Sequence, residues 1–172
     1  MSARKRVVIP VRPEPGSDLP EAERRAVLDS VRENRALEGN LLPILHGIQD
    51  RLGWIPPRAI ALIAFELNLS RADVHGVVTF YHYFRQHPPG QHVMYLCRAE
   101  ACQSVGAVAL EAHAKRALGV EFHGTSGDGR YTLEPVYCLG NCASGPSLLV
   151  DGQLHGRMTP ERFDALIAAD GK

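Results

Sequence analysis

Four cysteines are the residues of this sequence best suited to carry chemistry. They form two close pairs, with four residues between Cys97 and Cys102 and three between Cys138 and Cys142, and 35 residues separate the pairs. Disulfide-stapled proteins are shorter secreted chains, and this sequence shows no secretory signal pattern. We therefore interpret the cysteines as a four-thiolate metal site rather than as two disulfides.

The spacing of the pairs admits more than one metal. Structural zinc uses ligands two to four residues apart, and both pairs fit that range. The stretch 135–150 carries no charged side chain, and small residues beside sulfur let backbone N–H groups approach it, which favours an iron–sulfur cluster. The bacterial run C-x2-C-x2-C-x3-C-P and the plant-type run C-x4-C-x2-C are both absent. A zinc module and a pair of redox-active thiols remain as alternatives to the cluster.

Composition and motifs exclude several other functions. The 172 residues carry 19 basic and 19 acidic side chains, and a net charge of zero argues against non-specific binding of nucleic acid. No apolar run approaches the roughly 20 residues of a membrane span. The patterns G-x-G-x-x-G, G-x-x-x-x-G-K-[ST], H-E-x-x-H and G-x-S-x-G are absent, so we expect no catalytic residues in this chain. We expect a cytoplasmic protein.

Hydrophobic periodicity predicts three segments that could position the cysteines. Residues 1–20 are rich in proline and predict a flexible arm, and residues 21–87 predict a helical domain. Four helices are expected there, over 21–36, over 40–52 ending at Gly53, after Pro56-Pro57, and from a capping box at Ser70 to about Thr79. The aromatic run 80–84 fits either core packing or a surface for a partner.

A Pro-Pro-Gly linker at 88–90 precedes the segment 91–172, where the pattern changes to strands and helices. We expect a strand over 92–96, a strand over 131–137 and a hairpin around Asp151-Gly152. We also expect a helix over 103–118, with Val105 and Val108 facing inward, and a last helix from Thr159-Pro160. Each cysteine pair then follows the end of a strand. Two such strands can bring four thiolates to one edge of a sheet.

Several stretches of the sequence resemble the thioredoxin-like [2Fe–2S] ferredoxin family, which includes the 24-kDa-type subunit of respiratory complex I. They are LLPILHGIQDRLGWIPPRAIALIA (41–64), VHGVVTFYHYFR (74–85), the C-x4-C pair and EPVYCLGNC (134–142). Within that family, CRAEACQSVGA (97–107) and LEPVYCLGNC (133–142) resemble the gamma subunit of soluble NAD-dependent formate dehydrogenases most. The resemblance implies an α+β protein with an N-terminal helical bundle and a thioredoxin-like α/β domain.

The resemblance also implies a function. One [2Fe–2S] cluster would be held by Cys97, Cys102, Cys138 and Cys142. The chain would be a non-catalytic electron-transfer subunit of an oxidoreductase. Its partner would bind FMN, NAD and further iron–sulfur clusters, and a molybdenum-cofactor subunit would oxidise formate. The equivalent subunit of complex I or of a NAD-reducing hydrogenase is the alternative.

The sequence leaves open the roles of two ionisable side chains near Cys97 and Cys102. His92 begins the strand that leads to Cys97 and could tune the reduction potential of the cluster, although a packed or surface histidine is the more common case. Arg98 lies inside the first cysteine loop, where it could either solvate the loop or dock a partner.

Overall fold

The computed structural model describes residues 14–169, which divide into two compact units with the boundary between Pro88 and Pro89. Most of the predicted arm, residues 1–13, lies outside the described residues. Residues 14–20 form a turn, and Leu19 is buried with the helical core of the first unit. Leu19 therefore belongs to the core of the first unit, although most of its neighbours in 14–20 are exposed.

The first unit contains four helices around one apolar core. They are α1 (Glu21–Asn34), α2 (Leu41–Leu52), α3 (Ala59–Leu67) and α4 (Arg71–Phe80). The predicted stops and starts are confirmed: Gly53 ends α2 with a left-handed φ of 82°, and Ser70 and Asp73 form the capping box of α4. In the apolar stripe of α2, Ile44, Leu45 and Ile48 are fully buried and the leucines at 41, 42 and 52 are partly buried, because the apolar residues repeat at the helical period.

The aromatic run at the end of α4 is mostly a surface feature. Phe80, Tyr81 and Tyr83 are exposed, and only Phe84 is buried in the core. The rings contact each other edge-on, with Phe80 and Tyr81 centred 5.1 Å apart. Core packing therefore explains Phe84 alone.

The second unit is a five-stranded mixed sheet with helices. Its elements are β1 (His92–Cys97), α5 (Glu100–Ser104), α6 (Ala107–Leu118), β2 (Gly124–Thr125), β3 (Tyr131–Val136), β4 (Leu148–Val150), β5 (Gln153–His155) and α7 (Pro160–Ala169). The sheet order is β2-β3-β1-β4-β5. Only β1 and β3 run parallel, and the other neighbouring pairs are antiparallel. These helices and strands confirm the predicted α+β fold class.

Parallel pairing brings the two cysteine loops together. In the register of β1 and β3, Cys97 lies opposite Val136. Both strands therefore end at the same edge of the sheet, as the sequence predicts. The Arg98 N–H continues the ladder by donating to the Val136 carbonyl at 2.7 Å.

The predicted helix over 103–118 is wrong in its boundaries and in its buried face. The chain forms the short α5, turns at Gly106, where φ is 107°, and restarts as α6. Ala107, Leu110, Ala114 and Leu118 are the buried positions of α6, whereas Val105 and Val108 are 54% and 61% exposed. The turn at Gly106 resets the helical phase, so the valines face outward.

The last hairpin and the last helix form where the sequence predicts them. Asp151 and Gly152 both have positive φ, 47° and 83°, as a two-residue hairpin turn requires. Helix α7 places Phe163 in the core with no exposed surface. No helix within residues 14–169 is long and apolar enough to cross a membrane.

Candidate metal centre

Cys97 and Cys102 form the inner side of the site. Cys97 is the last residue of β1, Cys102 lies in α5, and each is only 2% exposed. The Cys97 N–H donates to the Ser147 carbonyl at 3.0 Å, and the Cys102 N–H donates to the Ala99 carbonyl at 2.9 Å. The backbone of both cysteines is therefore fixed by hydrogen bonds.

Cys138 and Cys142 form the outer side, and both are exposed. Cys138 follows β3 with a φ of 119°, a conformation that L-residues rarely adopt. Gly140 also has a positive φ, 75°, and its N–H donates to the Cys138 sulfur at 3.3 Å. Cys142 begins a short 3-10 turn. The strained turn thus directs a backbone donor at a sulfur, the feature that the small residues of this stretch predict.

The four thiols form two pairs, Cys97 with Cys102 and Cys138 with Cys142. The sulfurs of Cys138 and Cys142 are 3.8 Å apart, about the separation of two thiolates on one tetrahedral metal with bonds of about 2.3 Å. Among residues 14–169, no group of three or more His, Cys, Asp or Glu side chains could hold a metal ion.

The electrostatics of the thiols argue against a thiol redox enzyme. Burial raises the pKa of Cys102, and the neighbouring Cys97 thiol raises it further. The hydrogen bond with Cys138 likewise raises the pKa of Cys142. Catalytic thiols need a lowered pKa, which neither Cys102 nor Cys142 has.

A segment after the hairpin supports the second cysteine loop. The Arg157 N–H donates to the Ser144 carbonyl at 2.6 Å, and the Met158 N–H donates to the Pro146 carbonyl at 3.0 Å. A Cβ at Gly156 would lie 2.8 Å from that Ser144 oxygen, and one at Gly145 would lie 3.2 Å from the Cys102 sulfur. Gly156 therefore needs glycine for close approach to the backbone, and Gly145 is tightly packed against Cys102; cysteine spacing indicates neither.

The predicted role of His92 loses support, and the docking role of Arg98 stays a prediction. His92 begins β1, about 16 Å of strand length from Cys97, and its Nδ1 lies 2.6 Å from Asp151 Oδ2. Arg98 donates from Nε to Glu111 at 2.9 Å and lies 5.2 Å from the Phe122 ring centre. His92 is thus at the far end of its strand, and Arg98 is held within the second unit.

The exposed surface of this unit includes apolar side chains from the site. Tyr137, directly before Cys138, is 70% exposed, and Val105, whose Cγ2 would lie 3.1 Å from a Cβ at Gly145, is 54% exposed. Exposed aromatic and branched side chains beside exposed thiols favour a contact surface over a solvated loop.

The family model of the thioredoxin-like [2Fe–2S] ferredoxins matches residues 27–170. The chain belongs to this family. Membership gives the chain a [2Fe–2S] cluster, and the paired thiols, the backbone donor at Cys138 and the uncharged second loop fit such a cluster. The ferredoxin is an electron-transfer protein, and the zinc-module and thiol-enzyme alternatives lose their support.

Two curated proteins are similar in sequence to this chain over most of its length. The chain is 34% identical over 150 residues to an NADH-quinone oxidoreductase subunit of Escherichia coli K12, covering 87% of this chain and 90% of that protein. It is 29% identical over 150 residues to the NADP-reducing hydrogenase subunit HndA of Solidesulfovibrio fructosivorans, covering 87% and 88%.

A solved structure shares the fold. The crystal structure of an NAD+-reducing [NiFe]-hydrogenase in the air-oxidized state matches with a TM-score of 0.63 and 26% identity. The match covers 74% of this chain but only 22% of that longer chain. The ferredoxin therefore corresponds to about a fifth of the hydrogenase chain.

Proposed function

We propose that this ferredoxin is the electron-transfer subunit of a NAD-dependent formate dehydrogenase, with its cluster held by Cys97, Cys102, Cys138 and Cys142. The observation that carries the ligand assignment is the convergence of both cysteine loops at one edge of the sheet, where β1 and β3 end. The free thiols also fit a reducing, cytoplasmic location.

The inner and outer cysteines would hold opposite sides of the cluster. When bound, a [2Fe–2S] cluster accepts and releases one electron at a time. Cys97 and Cys102 would anchor it on the buried side, where little water reaches the sulfurs. Cys138 and Cys142 would hold its exposed side, where a partner can approach within electron-transfer distance.

The proposed partner is a subunit that binds FMN, NAD and further iron–sulfur clusters, and a molybdenum-cofactor subunit would oxidise formate. The stretches 97–107 and 133–142, which resemble the formate dehydrogenase gamma subunit, support this assignment. The names of the two curated relatives and of the solved structure support the alternative, a subunit of complex I or of a NAD-reducing hydrogenase.

The test is anaerobic purification of the tagged chain with its bound subunits from its native cells. We expect about two iron and two sulfide per ferredoxin in the separated subunit, no stoichiometric zinc, and an S = 1/2 paramagnetic signal after dithionite reduction. The intact complex should reduce NAD+ with formate. Reduction by hydrogen instead, or NADH oxidation by quinone, would assign the alternative complexes, and one zinc without a signal would refute electron transfer.

Tyr137 gives a direct test of the contact surface. Replacing it with alanine removes an exposed ring beside Cys138, and we expect the affinity for the flavin subunit to fall about tenfold, or about 1.4 kcal/mol. Titration calorimetry with cluster-loaded protein measures this. Tyr137→Phe is the matched control because it keeps the ring and loses only the hydroxyl, which lies 3.4 Å from Arg98. An unchanged affinity in Tyr137→Ala would place the contact elsewhere.

A further inference from the structure

A groove of about 240 Å³ lies next to the first cysteine loop. Arg98, the residue after Cys97, and Gln103, the residue after Cys102, line it together with one face of α6. The residues from α6 are Ala107, Val108, Glu111, Ala112 and Lys115. The groove therefore combines charged and apolar side chains within one residue of two proposed ligands.

One carboxylate fixes the two cations of the groove. Arg98 donates from Nε to Glu111 Oε2 at 2.9 Å, and Lys115 Nζ lies 2.9 Å from Glu111 Oε1. Lys115 also pairs with Glu121 at 2.8 Å. The centre of the Phe122 ring lies 5.2 Å from the Arg98 guanidinium carbon and 4.5 Å from Lys115 Nζ. The guanidinium is therefore held in place before a partner binds, so little side-chain entropy is lost on binding.

The hydrogen bonds of Arg98 leave part of its guanidinium unused. Of its five N–H donors, the one at Nε meets Glu111, and one at Nη1 meets the Tyr137 hydroxyl at 3.4 Å. No other hydrogen bond of this side chain occurs within residues 14–169. Lys115 differs, because two carboxylates already match its charge. The groove therefore presents one cation with unused donors, while both oxygens of Glu111 are occupied.

A partner that covers this groove must supply an acceptor. The side chains at its rim are partly open to solvent, with exposed fractions of 37% for Arg98, 54% for Val105 and 61% for Val108. Covering them takes the unused donors of Arg98 out of water, and a buried donor without an acceptor lowers the affinity. A cationic group of the partner would meet the like charge of Arg98 and no unoccupied oxygen of Glu111. A carboxylate satisfies both conditions.

We propose that the groove binds an aspartate or glutamate side chain of the flavin subunit, with its carboxylate on the Arg98 guanidinium and its apolar stem against Val108. The inference rests on the proposed function, because that function names the flavin subunit as the partner. The planar guanidinium suits a carboxylate, since two N–H groups can donate to its two oxygens. The contact lies beside Cys97, so it would align the partner with the cluster.

Opposite charges at Val108 test the proposal without changing the cysteine loop. We expect Val108→Glu to weaken binding to the flavin subunit about tenfold, because the new carboxylate repels the incoming one and competes for Arg98. Val108→Lys should bind at least as tightly as the wild type, since its methylene stem preserves apolar contact. Titration calorimetry of the cluster-loaded full chain with the flavin subunit isolated from the native complex measures both affinities. High salt should reduce the difference between them.

Arg98→Gln measures the contribution of the cation itself. We expect the affinity to fall about ten- to hundredfold and to depend less on salt than that of the wild type. Arg116→Gln is the matched control, because Arg116 is exposed on the same helix and does not line the groove. Its affinity should equal that of the wild type, although the net charge changes by the same amount.

The outcomes separate this inference from the proposed function. If the wild type binds the flavin subunit and the two Val108 variants bind it equally, the inference is wrong and the function stands. Tighter binding of Val108→Glu than of Val108→Lys would indicate a cationic group on the partner and would also overturn the inference. If Arg98→Gln takes up no cluster, the Val108 variants decide alone. A wild type that binds no flavin subunit overturns both.

Discussion

Replacing Cys138 with alanine is expected to abolish the [2Fe–2S] centre of this ferredoxin. Alanine offers no donor atom, and the exposed position leaves the iron open to water and oxygen. The Cys142 sulfur, 3.8 Å from that of Cys138, would then hold its metal alone on this side. We expect loss of the visible absorbance, of the paramagnetic signal after reduction, and of at least one of about two iron atoms per chain.

The control must separate ligand loss from damage to the loop. Ser144→Ala changes a side chain two residues from Cys142 without removing a sulfur, and it should keep full iron and sulfide content. Circular dichroism should show the same helical content in both variants. A wild-type [2Fe–2S] spectrum in Cys138→Ala would show that Cys138 is not a ligand, and the proposed ligand set would have to change.

Features of the fold that depend on local sequence could be predicted. The capping box of Ser70 and Asp73 and the hairpin turn at Asp151-Gly152 are recognisable because their residue types satisfy local backbone geometry. The buried stripe of α2 follows from a helical repeat of leucine and isoleucine. In each case the information lies within a few residues, so tertiary contacts do not override it.

The region between the cysteine pairs shows why other features could not be predicted. Propensity and apolar spacing favour one helix over 103–118, but the turn at Gly106 divides it. The valines at 105 and 108 then face outward, because Ala107, Leu110 and Ala114 fill the interior instead. Alanine and valine are both compatible with burial, so composition alone does not show which face packs on the sheet.

The candidate site also combines residues that the sequence predicts with residues that it does not predict. The thiols are recognisable from residue type and spacing, and the strand pattern predicts that they meet at one sheet edge. The supporting residues Ser147, Asn141 and Gly156 carry no such signal. Their roles depend on contacts that spacing does not reveal, such as the hydrogen bonds from Asn141 to Ser147 and from the Cys97 N–H to the Ser147 carbonyl.

Gly156→Ala is expected to destabilise the second cysteine loop although it adds only one methyl group. The new Cβ would lie 2.7 Å from Asn141 Nδ2 and 2.8 Å from the Ser144 carbonyl oxygen. The amide can rotate away, but the oxygen belongs to the backbone and accepts from Arg157 at 2.6 Å. Overpacking of this kind costs about 1 to 3 kcal/mol, and here the strain falls on the turn that begins at Cys142.

Cluster bleaching in urea under anaerobic conditions measures this effect. If this cost of about 1 to 3 kcal/mol lowers the barrier to opening of the loop, bleaching becomes about five- to 160-fold faster. Gly127→Ala is the matched control, because a Cβ there meets no atom within 4 Å. Equal bleaching rates in the two variants would show that the loop moves freely around residue 156. A faster rate only in Gly156→Ala would identify the segment 156–158 as the support that holds Cys142 in place.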